Sequence, residues 1–309
     1  MSVEVKALSK RFGKQTAVDQ ISFKTEKGKI LGFLGPNGAG KTTTMKMICG
    51  FLPATSGQIL VCGSDILENP VHTKAKIGYL PENNPLYKDM YVREFLMFFG
   101  NLCKLKNLKS RLDDLISMTG LEKEYKKQIS SLSKGYRQRV GLCQALIHDP
   151  EVLILDEPTS GLDPNQLVDI RQLIMNIGKE KTLIFSSHIM QEVQALCDRV
   201  LILNQGKIVA DEPIQSLLTR TNSARIIYLE FANEISIHAL NNIAFIEKTE
   251  NLGNGKFKVW CTKDGDPRED LFKLAMSNQW TIREMREEKS SIEDVFNLLT
   301  KSSGDVGSV

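Results

Sequence analysis

Residues 35–42 read GPNGAGKT, which fills the pattern G-x-x-x-x-G-K-[ST] without a gap. That spacing suits one chemistry, the holding of a nucleoside triphosphate with Mg²⁺. Gly35, Pro36, Asn37, Gly38, Ala39 and Gly40 form a loop whose glycines let the backbone curl. Successive N–H groups then face the β- and γ-phosphates. Lys41 adds a point charge for the same phosphates, and Thr42 offers a hydroxyl to Mg²⁺. A second reactive group is VLILDE at 152–157, where four apolar residues lead to two carboxylates. Asp156 is placed to hold Mg²⁺ through water, and Glu157 to polarise an attacking water. No N-K-x-D follows a strand to read guanine, which argues against a GTPase. A third segment, SLSKGYRQR at 131–139, stands directly ahead of a helix expected at 136–148. Ser133 can cap that helix, and Gly135 leaves backbone N–H groups open to an anion.

The elements around these residues are those needed to aim them. KILGFL at 29–34 reads as a buried strand and KTTTMKMIC at 41–49 as the helix after it, whose positive dipole end points at the phosphates. VEVKAL and AVDQISF, within residues 1–24, read as strands, as do 57–61 and 76–80. Residues 90–148 turn mostly helical, with apolar residues three and four apart at 92–104 and 111–119. Strand and helix then alternate through 152–155, 164–177, 182–186, 189–197 and 200–203. Alternation of this kind argues an α/β core, a mostly parallel sheet covered by helices, interrupted by the helical stretch as an insertion. VLILDE ends at the carboxyl edge of its strand, where open α/β sheets bind ligands.

From 219–224 the pattern changes. Strands are expected at 224–231, 243–249, 256–261 and 280–287, and helices at 235–240, 270–277 and 292–299. This is a β-α-β-β-α-β, ferredoxin-like arrangement. It carries no chemical motif, so a regulatory or interaction role is expected of it. KSSGDVGSV at 301–309 is small and polar, and reads as a frayed tail.

Composition narrows the partners. The chain has 309 residues, 41% hydrophobic and 25% charged, which suits one large globular domain and a small one. A net charge of +3 does not suggest a nucleic-acid partner. No run approaches the roughly 18 apolar residues of a membrane span, and residues 1–10 lack the apolar stretch of a secretory signal. The six cysteines are scattered, form no C-x-x-C and do not cluster with the four histidines, so reduced thiols are expected, with no metal site beyond the nucleotide's Mg²⁺.

GPNGAGKT, LSKGYRQR, VLILDEPTSGLDP and FSSH, in this order, resemble the ATP-binding subunits of ABC transporters over residues 1 to about 220. The resemblance implies a P-loop NTPase domain of the ABC ATPase type over 1–219. Its parallel-sheet core carries an antiparallel β subdomain and a helical subdomain inserted at about 82–148, and a small C-terminal α+β domain follows over 220–300. It also assigns roles. Phe12 stacks on adenine, and residues 35–42 are the Walker A loop, with Thr43 also near the phosphates. Ser133 and Gly135 are signature residues that touch the γ-phosphate across a dimer interface. Asp156 and Glu157 are the Walker B aspartate and catalytic glutamate, 160–163 is the D-loop ending in Asp163, and His188 is the switch histidine. Two departures stand out: the signature has Lys134 and Tyr136 where the family usually carries Gly and Gln, and Glu82 stands where the family carries a glutamine near the metal.

By the same resemblance two copies bind head to tail around two ATP molecules with Mg²⁺, and power a separate membrane permease from the inner face of the cell membrane. IGYLPENNPLYKDMYVREFL, FSSHIMQEVQALCDRV and SIEDVFNLLT resemble the exporter-type branch, and within it the subunit associated with bacterial gliding motility. The competing expectation is an ABC ATPase that works without a permease, on ribosomes or DNA. Those proteins usually carry two cassettes or long coiled-coil insertions, and this sequence shows one cassette and no such insertion.

Overall fold

Alternating apolar and polar residues at the start of the chain fold into a hairpin. Strands β1 (Val3–Phe12) and β2 (Gln15–Lys24) pair antiparallel around a turn in which Gly13 has a φ of 57°. A computed structural model of the chain describes residues 2–217, 225–233, 235–262 and 265–289. It divides into two compact units, Met1–Ile214 and Gln215–Val309.

In the first unit, β3 (Ile30–Leu34) is followed by α1 (Lys41–Ile48). Next, β4 (Ser56–Val61) and the short β5 (Ser64–Asp65) join the hairpin in a four-stranded antiparallel sheet, ordered β2-β1-β4-β5. After α2 (Pro70–Ala75) and β6 (Ile77–Leu80) comes the helical insertion of α3 (Val92–Leu102), α4 (Leu108–Met118) and α5 (Lys134–Leu146). The chain returns through β7 (Val152–Asp156), α6 (Pro164–Gly178), β8 (Thr182–Ser187), α7 (Met190–Leu196), β9 (Arg199–Asn204) and β10 (Lys207–Pro213). The main sheet runs β10-β9-β3-β8-β7-β6, parallel throughout except for the β10 edge.

The apolar runs explain the middle of that sheet. Every residue of β3, β7 and β8 is buried, as expected of parallel strands covered on both faces. One core cluster joins the two sheets: Val5, Leu8 and Ile59 of the antiparallel sheet pack with Phe33, Ile154 and Ile184 of the parallel one and with Met45 of α1. Each such side chain contributes about 1.5–3 kcal/mol on burial. The loop after β3 is therefore anchored on both sides of its strand.

β10 is not foreseen in the sequence. Its residues, KIVADEP, are only partly buried, as befits a sheet edge. A turn makes it, with Gln205 at φ 48° and Gly206 at φ 80°, the left-handed pair that tight hairpins require. The short helix α2 was also unforeseen, and α5 starts two residues earlier than expected, directly after Ser133.

The second unit follows the order β11 (Arg225–Phe231), α8 (Ile237–Asn241), β12 (Ile246–Gly253), β13 (Lys256–Cys261), α9 (Arg268–Ser277) and β14 (Ile282–Lys289). Its antiparallel sheet is ordered β12-β13-β11-β14, the ferredoxin-like arrangement. Alternate residues Ile227, Leu229, Phe231, Phe257 and Val259 pack against Leu240, Leu271 and Ala275. The helix expected at 292–299 and the tail at 301–309 lie outside the described residues.

Candidate nucleotide site

The loop between β3 and α1 needs its glycines. Gly38 has a φ of 81° and Gly40 one of 106°, in the left-handed region that other residues avoid. A Cβ on Gly40 would also lie 2.6 Å from the carbonyl oxygen of Ala17. Gly40 is the N-cap of α1 and supplies no side chain to its first turn. The unpaired N–H groups of that turn therefore face the loop, which makes the helix start a ready anion site.

Lys41 opens α1 yet is buried, at 7% exposure. Its Nζ folds back over the loop and donates to the carbonyl oxygens of Gly35 at 2.7 Å and Pro36 at 3.3 Å. Burial holds its ammonium below the usual lysine range, against the opposing pull of Glu157, Asp156 and Glu82. In front of it lies a cleft of about 290 Å³, lined by residues 37–43 and by Glu82, Glu157 and His188.

The two acids at the end of β7 are held differently. Asp156 is fully enclosed by hydroxyls. Its Oδ1 accepts from Thr42 Oγ1 at 3.1 Å and Ser186 Oγ at 2.6 Å, and its Oδ2 from the Tyr79 hydroxyl at 3.5 Å. Glu157 turns out of the strand with a φ of 49°, a strained angle for a side chain of its size. Its N–H donates to Ser186 Oγ at 3.0 Å, its Oε2 lies 2.8 Å from His188 Nδ1, and its Oε1 lies 3.9 Å from Lys41 Nζ. Burial pushes the Glu157 carboxyl above its ordinary range, and His188 and Lys41 pull it back. A carboxylate so placed, at the cleft wall and partly desolvated, can accept a proton from water beside it.

Thr43 and Glu82 line the same cleft, while the remaining residues singled out in the sequence stand elsewhere. Phe12, at the end of β1, is half exposed, with Lys10 Nζ 5.1 Å from its ring centre. Ser133 is the N-cap of α5, accepting from the Tyr136 N–H at 3.3 Å. Gly135 packs so closely on α6 that an added Cβ would lie 2.4 Å from Gln166 Oε1. Asp163 caps α6, accepting from the Gln166 N–H at 2.9 Å. Two contacts escaped the sequence reading, those of Ser186 and Tyr79 with Asp156. The serine pair directly ahead of His188 is the only signal for the first; strand register decides the second.

Phosphate loops that close over a buried lysine, facing acids at the end of a parallel strand, belong to P-loop nucleoside triphosphatases, and this fold and cleft define that class. The family described as ABC transporter matches residues 18–160. An uncharacterized ABC transporter ATP-binding protein of Bacillus subtilis is 33% identical over 300 residues, covering 96% of this chain and 95% of that protein. A Nod factor export ATP-binding protein of Paraburkholderia xenovorans is 32% identical over 97% of both chains. A solved ATP-binding subunit of an ABC transporter matches with a TM-score of 0.65 at 27% identity, over 71% of this chain and 93% of that chain. The chain belongs to the ATP-binding subunits of ABC transporters, ATPases that couple hydrolysis to transport. Among the described residues no helix is long and apolar enough to cross a membrane.

Proposed function

We propose that this subunit hydrolyses Mg²⁺-ATP at the cleft in front of residues 37–43 and drives an export permease. One observation carries the assignment of chemistry: Glu157 sits at the cleft wall between His188 at 2.8 Å and Lys41 at 3.9 Å. Glu157 is the general base, His188 orients it, and Lys41 balances charge on the transferring phosphate. Gly35 to Gly40 and Thr43 bind the phosphates, and Phe12, exposed at the end of β1, stacks on the base.

The residues present fit Mg²⁺. Thr42 Oγ1 and Asp156 Oδ1 converge at 3.1 Å, and the Glu82 side chain lines the same cleft. Among the described residues no three His, Cys, Asp or Glu side chains cluster to hold an ion alone, so the phosphates must complete its shell. When bound there, the ion would neutralise charge on the nucleotide's phosphates.

Ser133, Gly135 and Asp163 do not line this chain's own cleft. That supports a head-to-tail homodimer in which each copy offers these residues to the nucleotide of the other. Support for a permease comes from the insertion, which exposes Tyr87, Tyr91, Met97, Phe98 and Leu102 on one subdomain. Exposed apolar groups in such number mark protein contacts more often than bare surface. The domain reading stands with it: residues 1–219 bind nucleotide, about 82–148 meet the permease, and 220–300 regulate or bind a partner. The protein then works on the inner face of the cell membrane.

Export is favoured because a relative matching along its whole length is an export protein. The gliding-motility role is a narrower proposal that rests on the sequence resemblance. Co-expression with a candidate permease, followed by membrane fractionation, tests the central reading. Permease-dependent recruitment and ATPase activity are expected; association with ribosomes or DNA instead would overturn it. Deletion of the gene in a gliding strain, without loss of spreading, would remove the narrower role.

A further inference from the structure

Glu192, on α7, is buried at 1% exposure and faces the far side of the two loops that carry Glu157 and His188. Its Oε2 accepts from the hydroxyl of Thr159, two residues beyond Glu157. The same oxygen accepts from Ser187 Oγ at 3.1 Å, one residue before His188. Its Oε1 lies 4.0 Å from Arg171 Nη2 on α6. Ser187 Oγ in turn accepts the N–H of Ile189 at 3.0 Å, which fixes the backbone on the other side of His188. One buried carboxylate thus ties together the exit from β7 and the exit from β8.

The arrangement has a reason in the backbone. Glu157 holds a left-handed φ of 49°, which a free loop would relax. Its amide is fixed by Ser186 at 3.0 Å, on the strand side. On the loop side, the Ser160 N–H closes a turn onto the Glu157 carbonyl at 3.1 Å, and Thr159 inside that turn is held by Glu192. Without Glu192 the turn keeps its own hydrogen bond and the Glu157 N–H on Ser186, but Thr159 loses its link to Ser187. The separation of Glu157 and His188 would then be set by their mutual contact and by the Glu157 N–H on Ser186, without the carboxylate that holds the loop beyond Glu157.

We infer that Glu192 is a positioning residue for hydrolysis, fixing Glu157 and His188 relative to each other through Thr159 and Ser187. The inference rests on the assignment of Glu157 as the base. Glu192 touches neither cleft nor nucleotide loop, so it acts on the rate and not on binding. A displacement of about 1 Å at a reacting group can cost on the order of a hundredfold in rate. A partial loss from a tethered loop is smaller, about tenfold.

The test uses the full chain, with ATP turnover and ATP affinity measured separately. Glu192→Gln is expected to lower kcat about tenfold, leaving the KM and Kd for ATP within about a factor of two, and Glu192→Asp to restore part of the rate. Thr159→Val and Ser187→Ala each remove one hydroxyl and cover the case in which the Glu192 variants do not fold. Each should slow turnover, and the double variant should lose less than the product of the two, because both act through one carboxylate. A folded Glu192→Gln with wild-type kcat, a matching loss of ATP affinity, or strict additivity of the two hydroxyl deletions would overturn the inference. Glu157→Gln measured alongside separates the two readings: full activity there sinks the base assignment, whereas its inactivity beside a normal Glu192→Gln sinks only this one.

Discussion

Ser186 and Asp156 meet at 2.6 Å, hydroxyl to carboxylate, and the same hydroxyl accepts the N–H of Glu157 at 3.0 Å. One small side chain on β8 therefore holds both the carboxylate that ends β7 and the backbone of the acid that follows it. Ser186→Ala would leave a buried carboxylate short of a donor and a buried N–H without an acceptor. A loss of about 1–3 kcal/mol of stability is expected, read as a lower midpoint in urea, together with slower ATP turnover. An unchanged midpoint would show that water replaces the hydroxyl.

Glu157→Gln keeps the shape of the side chain and removes the proposed base. ATP binding should persist while hydrolysis falls on the order of a hundredfold or more. Single-turnover measurements with labelled ATP check both halves. Hydrolysis at the wild-type rate would end the assignment.

The same variant carries a stability prediction with a definite sign. Burial raises the Glu157 carboxyl above its unfolded value, with His188 and Lys41 opposing and Asp156 adding to the rise. Between the unfolded and folded values the native state binds more protons than the unfolded chain, so stability falls as pH rises through that window. Above it the buried charge is a standing cost. Glu157→Gln should therefore melt higher than wild type at neutral pH without nucleotide, and the gap should close as pH drops below the window. A gap that does not depend on pH would contradict the account.

His188 is one of the two groups that keep the Glu157 carboxyl from rising further. In His188→Ala the acidic limb of the rate profile should move to higher pH, with kcat reduced at every pH. A simple loss of rate with no movement of that limb would assign His188 a role apart from Glu157.

Lys41→Met tests the cradle. The lysine is buried and its charge is opposed by burial, so an apolar replacement of similar length spares that cost while losing the bonds to Gly35 and Pro36. The unliganded melting temperature should change little. The stabilisation by ATP, about 2.7 kcal/mol at a hundred times Kd, should vanish. Differential scanning fluorimetry with and without Mg²⁺-ATP reads both.

Much of this site is legible in the sequence because its parts are local. GPNGAGKT sets its own backbone, and the all-buried VLILD strand announces itself through an unbroken apolar run. Ser186, Tyr79 and Glu192 are not legible in that way, since each matters only through a partner brought by the sheet order or by α7. β10 escaped for a different reason. Edge strands need not alternate, and a turn of Gln205 and Gly206 gives little warning.

The absence of a side chain on Gly135 lets α5 begin against Gln166, whose own N–H is held by Asp163. Lys134 presses equally close to Gly161, where an added Cβ would lie 2.3 Å from its Nζ. The missing side chains of Gly135 and Gly161 thus let the start of α5 lie against the segment that follows Glu157, and a bulkier residue at either position would crowd the other's neighbour.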